Sequence, residues 1–325
     1  QPESLLGDPL IWGNFRHAAA QQFLEAWMDE SDAAHTFEWG EKNIRKITDG
    51  LRRSPEYENY NNSLMQEYVF ERLAEDCRIT AQSVLLQFVP GGYRPTYLEL
   101  SFGKGGEMAD LKLPLKNGET VSLTGKVDRV DVLQLDSRDI LRVIDYKAKE
   151  AIDLGNEASI RQGNLQVWVY MSALLQRWEQ MKGRKAVPGG LYVMPSAVRM
   201  KMAKKERTIP EEALSLSGVT AETPEGAEDK TLLAGVFHEN PVRISEGVLR
   251  QRLRLADETA AELAERALRG EVSPKPMDKA IWDSRLRKCK YCDYRAGCLF
   301  RLRNGEQPVG SEIRITDDEK RGVTE

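Results

Sequence analysis

The sequence predicts an α/β fold on three observations. Apolar residues recur at helical spacing near the N-terminus and again in later segments. A block over 97–147 is rich in strand-forming residues. Inside that block a polar tetrad joins two long, largely apolar runs, as a tight turn would.

Taken in order, residues 14–28 predict a helix, because Phe15, Ala19, Phe23 and Trp27 recur every four residues and Asn14 can cap it. Residues 62–87 predict a second helix with Leu64, Tyr68, Leu73 and Leu85 among its apolar positions, ended by Pro90-Gly91-Gly92. Strands follow at 97–102, 121–135 and 140–147, the last two joined through Asp136-Ser137-Arg138-Asp139. Residues 159–179 return to helical spacing through Leu165, Val169, Leu174 and Trp178, and 190–194 read as a strand. Residues 196–245 are polar with weak periodicity and predict an insertion of partial order. A helix rich in Ala, Leu, Glu and Arg covers 246–269, with Gly270 to end it. A cysteine segment reaches 303, and 304–325 read as a polar tail.

Composition bounds the function classes. At 325 residues, a prior of roughly 150 residues per domain allows about two domains, or one large domain with insertions. Hydrophobic residues at 41% and charged residues at 30% suit a soluble globular chain and exclude a disordered or fibrous one. A net charge of −4 excludes a wholly basic nucleic-acid coat but leaves room for local patches. No apolar run approaches the ~18 residues of a membrane span. The chain opens Gln1-Pro2-Glu3-Ser4, with no initiator Met and no signal-peptide pattern. That predicts a piece of a longer protein in a reducing, cytoplasmic compartment.

The chemistry concentrates on the hairpin. Asp145 and Lys147 are two apart on a strand and share a face. A turn centred on the 136/137 bond sets Asp128 opposite Asp145, with Cβ atoms about 4.5–5.5 Å apart. Opposed carboxylates repel unless a cation lies between them. Both stand in largely apolar strands, which argues against the solvated face of a hairpin. Oxygen ligands with retained waters suit Mg²⁺ or Mn²⁺. Lys147 would then orient a water or stabilise charge building on a phosphate. Gln166 and Tyr170, four apart on a helix, read as a polar pair at the rim of that site or as routine helix surface. His17 lies among Ala18, Ala19 and Ala20 and reads as a metal ligand or, more commonly, a satisfied histidine. Glu99 is a further candidate carboxylate.

Cys289-x2-Cys292-x5-Cys298 forms a soft-metal cage lacking one ligand. Zinc with a fourth Cys or His, or an iron–sulfur cluster, both suit it. The remaining cysteine, Cys77, lies in a charged helical segment. Arg285, Arg287, Lys288 and Lys290 lead a basic stretch interleaved with Tyr291, Tyr294 and Phe300, which suits single-stranded nucleic acid or a solvated face.

Five motifs in order resemble those of the RecB-type PD-(D/E)xK nucleases, above all the C-terminal nuclease domains of AddB proteins from bacterial AddAB helicase–nucleases. Gly13-x3-His17 resembles the family's helix histidine and Glu99-x2-Phe102-Gly103 its E-x-x-F-G strand. Gly125-x2-Asp128-Arg129-x-Asp131 is similar to G-x-x-D-R-x-D, Asp145-Tyr146-Lys147 to D-Y-K, and Gln166-x3-Tyr170 to Q-x3-Y. The resemblance covers about residues 10–303 and implies one nuclease domain, 1–303, with its core near 95–195. It implies a restriction-endonuclease-like mixed sheet flanked by helices, with a C-terminal iron–sulfur segment. It implies a Mg²⁺ or Mn²⁺ site held by His17, Asp128, Asp145 and the backbone carbonyl of Tyr146, with Lys147 as catalytic lysine and Gln166 and Tyr170 beside it. It implies a 4Fe-4S cluster on Cys289, Cys292 and Cys298, whose fourth cysteine lies upstream in the family, so the role is not carried to Cys77. It implies exonuclease cleavage of one strand, the 5′-ended one, of single-stranded or unwinding double-stranded DNA at double-strand breaks, beside an AddA-like helicase–nuclease partner. No G-x4-G-K-[ST] loop is present, so helicase activity is not expected from these residues. The competing expectations are a non-cutting DNA-binding module of the same fold, a CRISPR-associated or phage RecB-like nuclease, and a zinc-stabilised scaffold.

Overall fold

The computed structural model describes residues 9–60, 63–147, 154–161, 163–197, 201–203, 206–208, 216–222 and 242–271. The chain divides into a unit Gln1–Leu263, which holds the sheet, and a unit Ala264–Glu325, of which 264–271 are described.

Three helices come first: α1 (Pro9–Met28), α2 (Phe37–Arg52) and α3 (Leu64–Leu85). Then come β1 (Arg94–Phe102), β2 (Leu111–Pro114), β3 (Thr120–Leu123), β4 (Gly125–Gln134) and β5 (Asp139–Lys147). After α4 (Glu157–Arg161) and α5 (Gln166–Lys182) lie β6 (Ala186–Pro195), β7 (Lys201–Ala203), β8 (Glu206–Thr208), β9 (Ser217–Ala221), β10 (Val242–Ile244) and α6 (Glu246–Leu268). The central sheet is six-stranded and mixed, in the order β1-β4-β5-β6-β9-β10. β5–β6 and β9–β10 are parallel, and the other neighbours are antiparallel. Among the described residues no helix is long and apolar enough to cross a membrane.

Both faces of the sheet are covered. On β5, Leu141 and Val143 join a core with Trp168, Met171 and Leu174 of α5 and Leu249, Leu253 and Ala256 of α6. Ile144 and Tyr146 point the other way, into a core with Phe15, Phe23 and Leu24 of α1 and Phe70 and Leu73 of α3. This period-two alternation, apolar on both sides, is what a central strand requires.

The β4–β5 hairpin has the register that the turn predicts: Arg129 faces Ile144, Val130 faces Val143, and Asp131 faces Arg142. Leu135 N–H donates to the Arg138 carbonyl at 2.9 Å to close the turn. Asp139, expected in that turn, is instead the buried first residue of β5. Its carboxylate accepts from Trp178 Nε1 and Arg184 Nε, each at 2.8 Å, and so ties α5 to the sheet.

Other elements depart from expectation for local reasons. α1 starts at Pro9, a favoured first helical residue, so Asn14 lies inside the helix and caps nothing. Its Phe15, Ala19, Phe23 and Trp27 stripe is buried as predicted. α2 has no counterpart among the predicted elements. Thr36 caps it, accepting from Trp39 N–H at 3.1 Å, and Ile44, Thr48 and Leu51 form its buried face. On α3, Leu64 and Tyr68 are exposed, and the buried stripe is Phe70, Leu73, Cys77, Ala81 and Val84. The run at 121–135 is two strands, because Thr124 separates β4 from β3, and β3 pairs with β2 in a sheet of its own. The helix expected over 159–179 is broken between α4 and α5, where Gly163 takes φ +83, a conformation only glycine adopts freely. Within 196–245, β9 and β10 join the central sheet. Their polarity fits an outer position in that sheet, and it hid them from a pattern search.

Asp257 on α6 lies against Ser172 of α5, and burial pushes its carboxyl up to about 6. Its Oδ1 has no hydrogen-bond partner. A carboxyl raised above its unfolded value of 3.8 contributes stability that is full below that pH and is lost as pH rises through 6. Asp257→Asn is therefore expected to stabilise the chain by about 1–2 kcal/mol at pH 7, after discounting for partial exposure. Thermal melts at pH 7 and pH 4 check this: the gain at pH 7 should vanish at pH 4.

Candidate metal centre

The site lies in a fork of the sheet. β4 stays paired with β1 as far as Gly125, and β5 stays paired with β6 as far as Lys147. The ladder between β4 and β5 stops at Arg129 and Ile144. Beyond that point the Asp128 carboxylate takes over, accepting the Tyr146 N–H at 2.8 Å. The prongs enclose a cavity of about 680 Å³ lined by His17, Glu99, Lys126, Asp128, Asp145 and Lys147, with Gln166 and Tyr170 at its side.

Each prong needs its local sequence. Gly125 lets α5 approach β4, since a Cβ there would lie 2.9 Å from the Phe102 ring and 3.3 Å from Tyr170 Cε1. Glu99 faces Asp128 across β1–β4, between the pairs Leu98–Arg129 and Leu100–Val127. It has φ +53, the one positive φ among described non-glycine residues. That conformation costs on the order of 1–3 kcal/mol, and it occurs where a carboxylate turns into the cavity.

α1 supplies His17. Its Nε2 is 3.1 Å from the Tyr146 carbonyl oxygen. Its Nδ1 is 3.6 Å from Asp128 Oδ2 and 3.8 Å from Glu99 Oε1. With Nε2–H donating to the carbonyl, the Nδ1 lone pair faces two carboxylates, so the arrangement calls for a second proton or a cation. Burial pushes the His17 pKa down, but Glu99 and Asp128 outweigh it and leave the pKa raised. Burial pushes Glu99 up, and His17 and Lys126 more than reverse that.

The two aspartates are strained as charges. Burial pushes Asp128 up to about 6, with His17 opposing and Asp145 adding to the rise. Burial also raises Asp145, against the pull of Lys147. Lys147 Nζ lies 2.8 Å from Asp145 Oδ2 and donates to Gln166 Oε1 at 2.8 Å. Gln166 Nε2 in turn donates to the Tyr170 hydroxyl at 2.8 Å. Neither buried oxygen of Asp145 has a well-aligned hydrogen bond. Donor atoms of His17, Glu99 and Asp128 lie within 4.8 Å of one another. An imidazole, carboxylates and an orphaned buried carboxylate fit a hard divalent cation such as Mg²⁺ or Mn²⁺.

The structure thus gathers His17, Asp128, Asp145, Tyr146, Lys147, Gln166 and Tyr170 around one cavity. It adds Glu99 as a full member of the donor cluster. Cys289, Cys292, Cys298, Arg285, Arg287, Lys288 and Lys290 lie outside the described residues. Cys77 is buried in the α1–α3 core, and burial pushes its thiol up to about 12, which marks a packed thiol. Sequence reasoning missed Glu56 and Tyr57, which also line the cavity from an irregular stretch with no periodic signal.

It also missed a buried network behind the site. Asp131 accepts two hydrogen bonds from Arg129 and one from Arg142 Nε, each at 2.7 Å. All three side chains are fully buried. Burial pushes Asp131 up, yet the two guanidiniums hold it below the usual carboxylate range. Arg129 Nη1 reaches the Tyr146 hydroxyl at 3.4 Å, and Phe88 lies under both guanidiniums.

Comparison with known proteins agrees with this geometry. A profile described as the PD-(D/E)XK nuclease superfamily matches residues 2–299. The chain is 28% identical over 315 residues to the AddB-type subunit of an ATP-dependent helicase/deoxyribonuclease from Clostridium botulinum, covering 89% of this chain and 26% of that protein. It is 28% identical over 325 residues to the protein of the same name from Moorella thermoacetica, covering 90% and 27%. The chain spans about a quarter of the length of the relatives it matches.

Proposed function

This chain belongs to the PD-(D/E)XK nuclease superfamily, and on that premise we propose that it is a metal-dependent deoxyribonuclease hydrolysing phosphodiester bonds of one DNA strand. The observation that carries this reading is the His17 Nδ1 lone pair facing Glu99 and Asp128 beside an orphaned Asp145. His17, Glu99, Asp128 and Asp145 would hold Mg²⁺ or Mn²⁺, with the Tyr146 carbonyl adjoining them. When bound, the cation supplies Lewis-acid polarisation of the phosphoryl group and a more acidic water.

The chain's own residues do the rest. Lys147, held as an ammonium between Asp145 and Gln166, donates to the phosphate and stabilises the charge that grows on it. Gln166 and Tyr170 fix the ammonium's direction. Similarity to helicase/deoxyribonuclease proteins supports a finer reading. In it the chain is an exonuclease for the 5′-ended strand, working in the cytoplasm beside an AddA-like motor protein, with a 4Fe-4S cluster on Cys289, Cys292, Cys298 and a fourth cysteine other than Cys77.

The test is cleavage of a single-stranded oligonucleotide labelled at either end. Mg²⁺ should support cleavage and EDTA should abolish it. Lys147→Ala should lower the rate on the order of 10³-fold with an unchanged melting temperature. Equal cleavage by Lys147→Ala, or none by the folded parent in Mg²⁺ or Mn²⁺, overturns the reading and leaves a DNA-binding module. The label that is released first reports strand polarity. Absorption near ~400 nm with bound iron and sulfide reports the cluster.

A further inference from the structure

We propose that Lys126 is a phosphate-binding residue of this site, parked on Glu99 in the metal-free chain and released to the DNA strand when a divalent cation takes up Glu99. The proposal rests on the nuclease reading above.

The cavity presents a problem to its substrate. Its acids are Glu56, Glu99, Asp128 and Asp145, and a polyanion must approach them. Two lysines line it, Lys126 and Lys147. They hold equivalent positions on the two prongs. Lys126 is one pleat from Asp128 on β4, and Lys147 is one pleat from Asp145 on β5. Extending the register that pairs Arg129 with Ile144 sets position 126 across from 147, where the ladder has already opened. The fork therefore carries a lysine on each lip and the acids one step deeper.

Lys147 is committed to Asp145 and Gln166. Lys126 is paired with Glu99, and its side chain is 59% exposed. Its backbone is held by pairing with Ser101, so only the flexible stem needs to move. An ion pair this exposed is weak. A divalent cation drawn to His17, Glu99 and Asp128 outcompetes a single ammonium for the Glu99 carboxylate. The freed ammonium then stands at the mouth, where a phosphate neighbouring the scissile one would pass. Cation uptake thus charges the entrance positively at the moment the site becomes competent.

The full chain tests this with Lys126→Ala and Lys126→Arg. Calorimetric titration with Mn²⁺, without DNA, should show Lys126→Ala binding several-fold more tightly, because Glu99 is no longer neutralised. Cleavage of the single-stranded oligonucleotide in Mg²⁺ should show KM raised about 10-fold and kcat within about threefold. The slope of log KM against log salt should be shallower by about 0.7. Lys126→Arg should restore most of the KM and the slope. An unchanged KM and salt slope, or Mn²⁺ affinity unchanged or weakened in Lys126→Ala, overturns the proposal. A parent chain that neither binds Mn²⁺ nor cleaves removes the nuclease reading along with it, whereas a normal parent with an unresponsive Lys126→Ala removes this proposal alone.

Discussion

Asp145→Asn should remove cleavage, on the order of 10³-fold or more, while leaving the chain at least as stable as the parent. The two effects have one origin. Asp145 is almost fully buried, burial raises its pKa, and neither oxygen has a well-aligned hydrogen-bond partner. An ionised carboxyl in that position is a net burden on the fold. Asn keeps its shape and removes the charge. The same charge is what a divalent cation would use and what holds Lys147 Nζ at 2.8 Å. Melting curves and single-turnover cleavage of the two proteins check this together. A large fall in melting temperature would mean that Asp145 serves the fold, and retained cleavage would mean that it does not serve the chemistry.

Asp131→Ala should be among the most damaging single changes to stability, at about 3–5 kcal/mol. Two fully buried guanidiniums would lose their shared counter-charge at once, and neither can shed its proton in a protein. The Gln87 carbonyl, 3.2 Å from Arg142 Nη2, and the Phe88 ring cannot replace a carboxylate. Urea denaturation measures the loss. Adding Arg142→Met should recover part of it, because a buried ion network is worth less than the damage done by removing one member. A loss below about 1 kcal/mol would contradict the burial and pairing of this network.

The hairpin was legible because two independent signals agreed. A polar tetrad fixed the turn, and alternating apolar residues fixed the faces, so the register from Arg129–Ile144 to Gln134–Asp139 followed. Asp128, Asp145 and Lys147 came with it, since strand geometry alone sets which residues share a face. Glu99 was underrated because its role depends on a positive φ, which no propensity encodes for glutamate. His17 was legible only by resemblance to a family motif. Its partner, the Tyr146 carbonyl, lies 129 positions away, and local patterning carries nothing at that range. α2 was missed although Thr36, Ile44, Thr48 and Leu51 spell a capped amphipathic helix. Asp139 was misassigned because a polar residue beside a turn reads as part of the turn until its buried partners Trp178 and Arg184 are seen.

The long reach between His17 and Tyr146 has a consequence for when the protein becomes dangerous to its own substrate. The centre needs α1 from one face of the sheet, α5 from the other, and the β4–β5 prongs between them. Contacts this distant along the chain close late in folding, after the strands have paired. A nascent or partly opened chain therefore has the hairpin acids but lacks the histidine that completes the donor set. Undocking α1 alone would disarm the site while the sheet persists, so the first sub-global opening on warming or in mild denaturant should silence the nuclease before the fold is lost. DNA is then exposed only to molecules whose folding is finished.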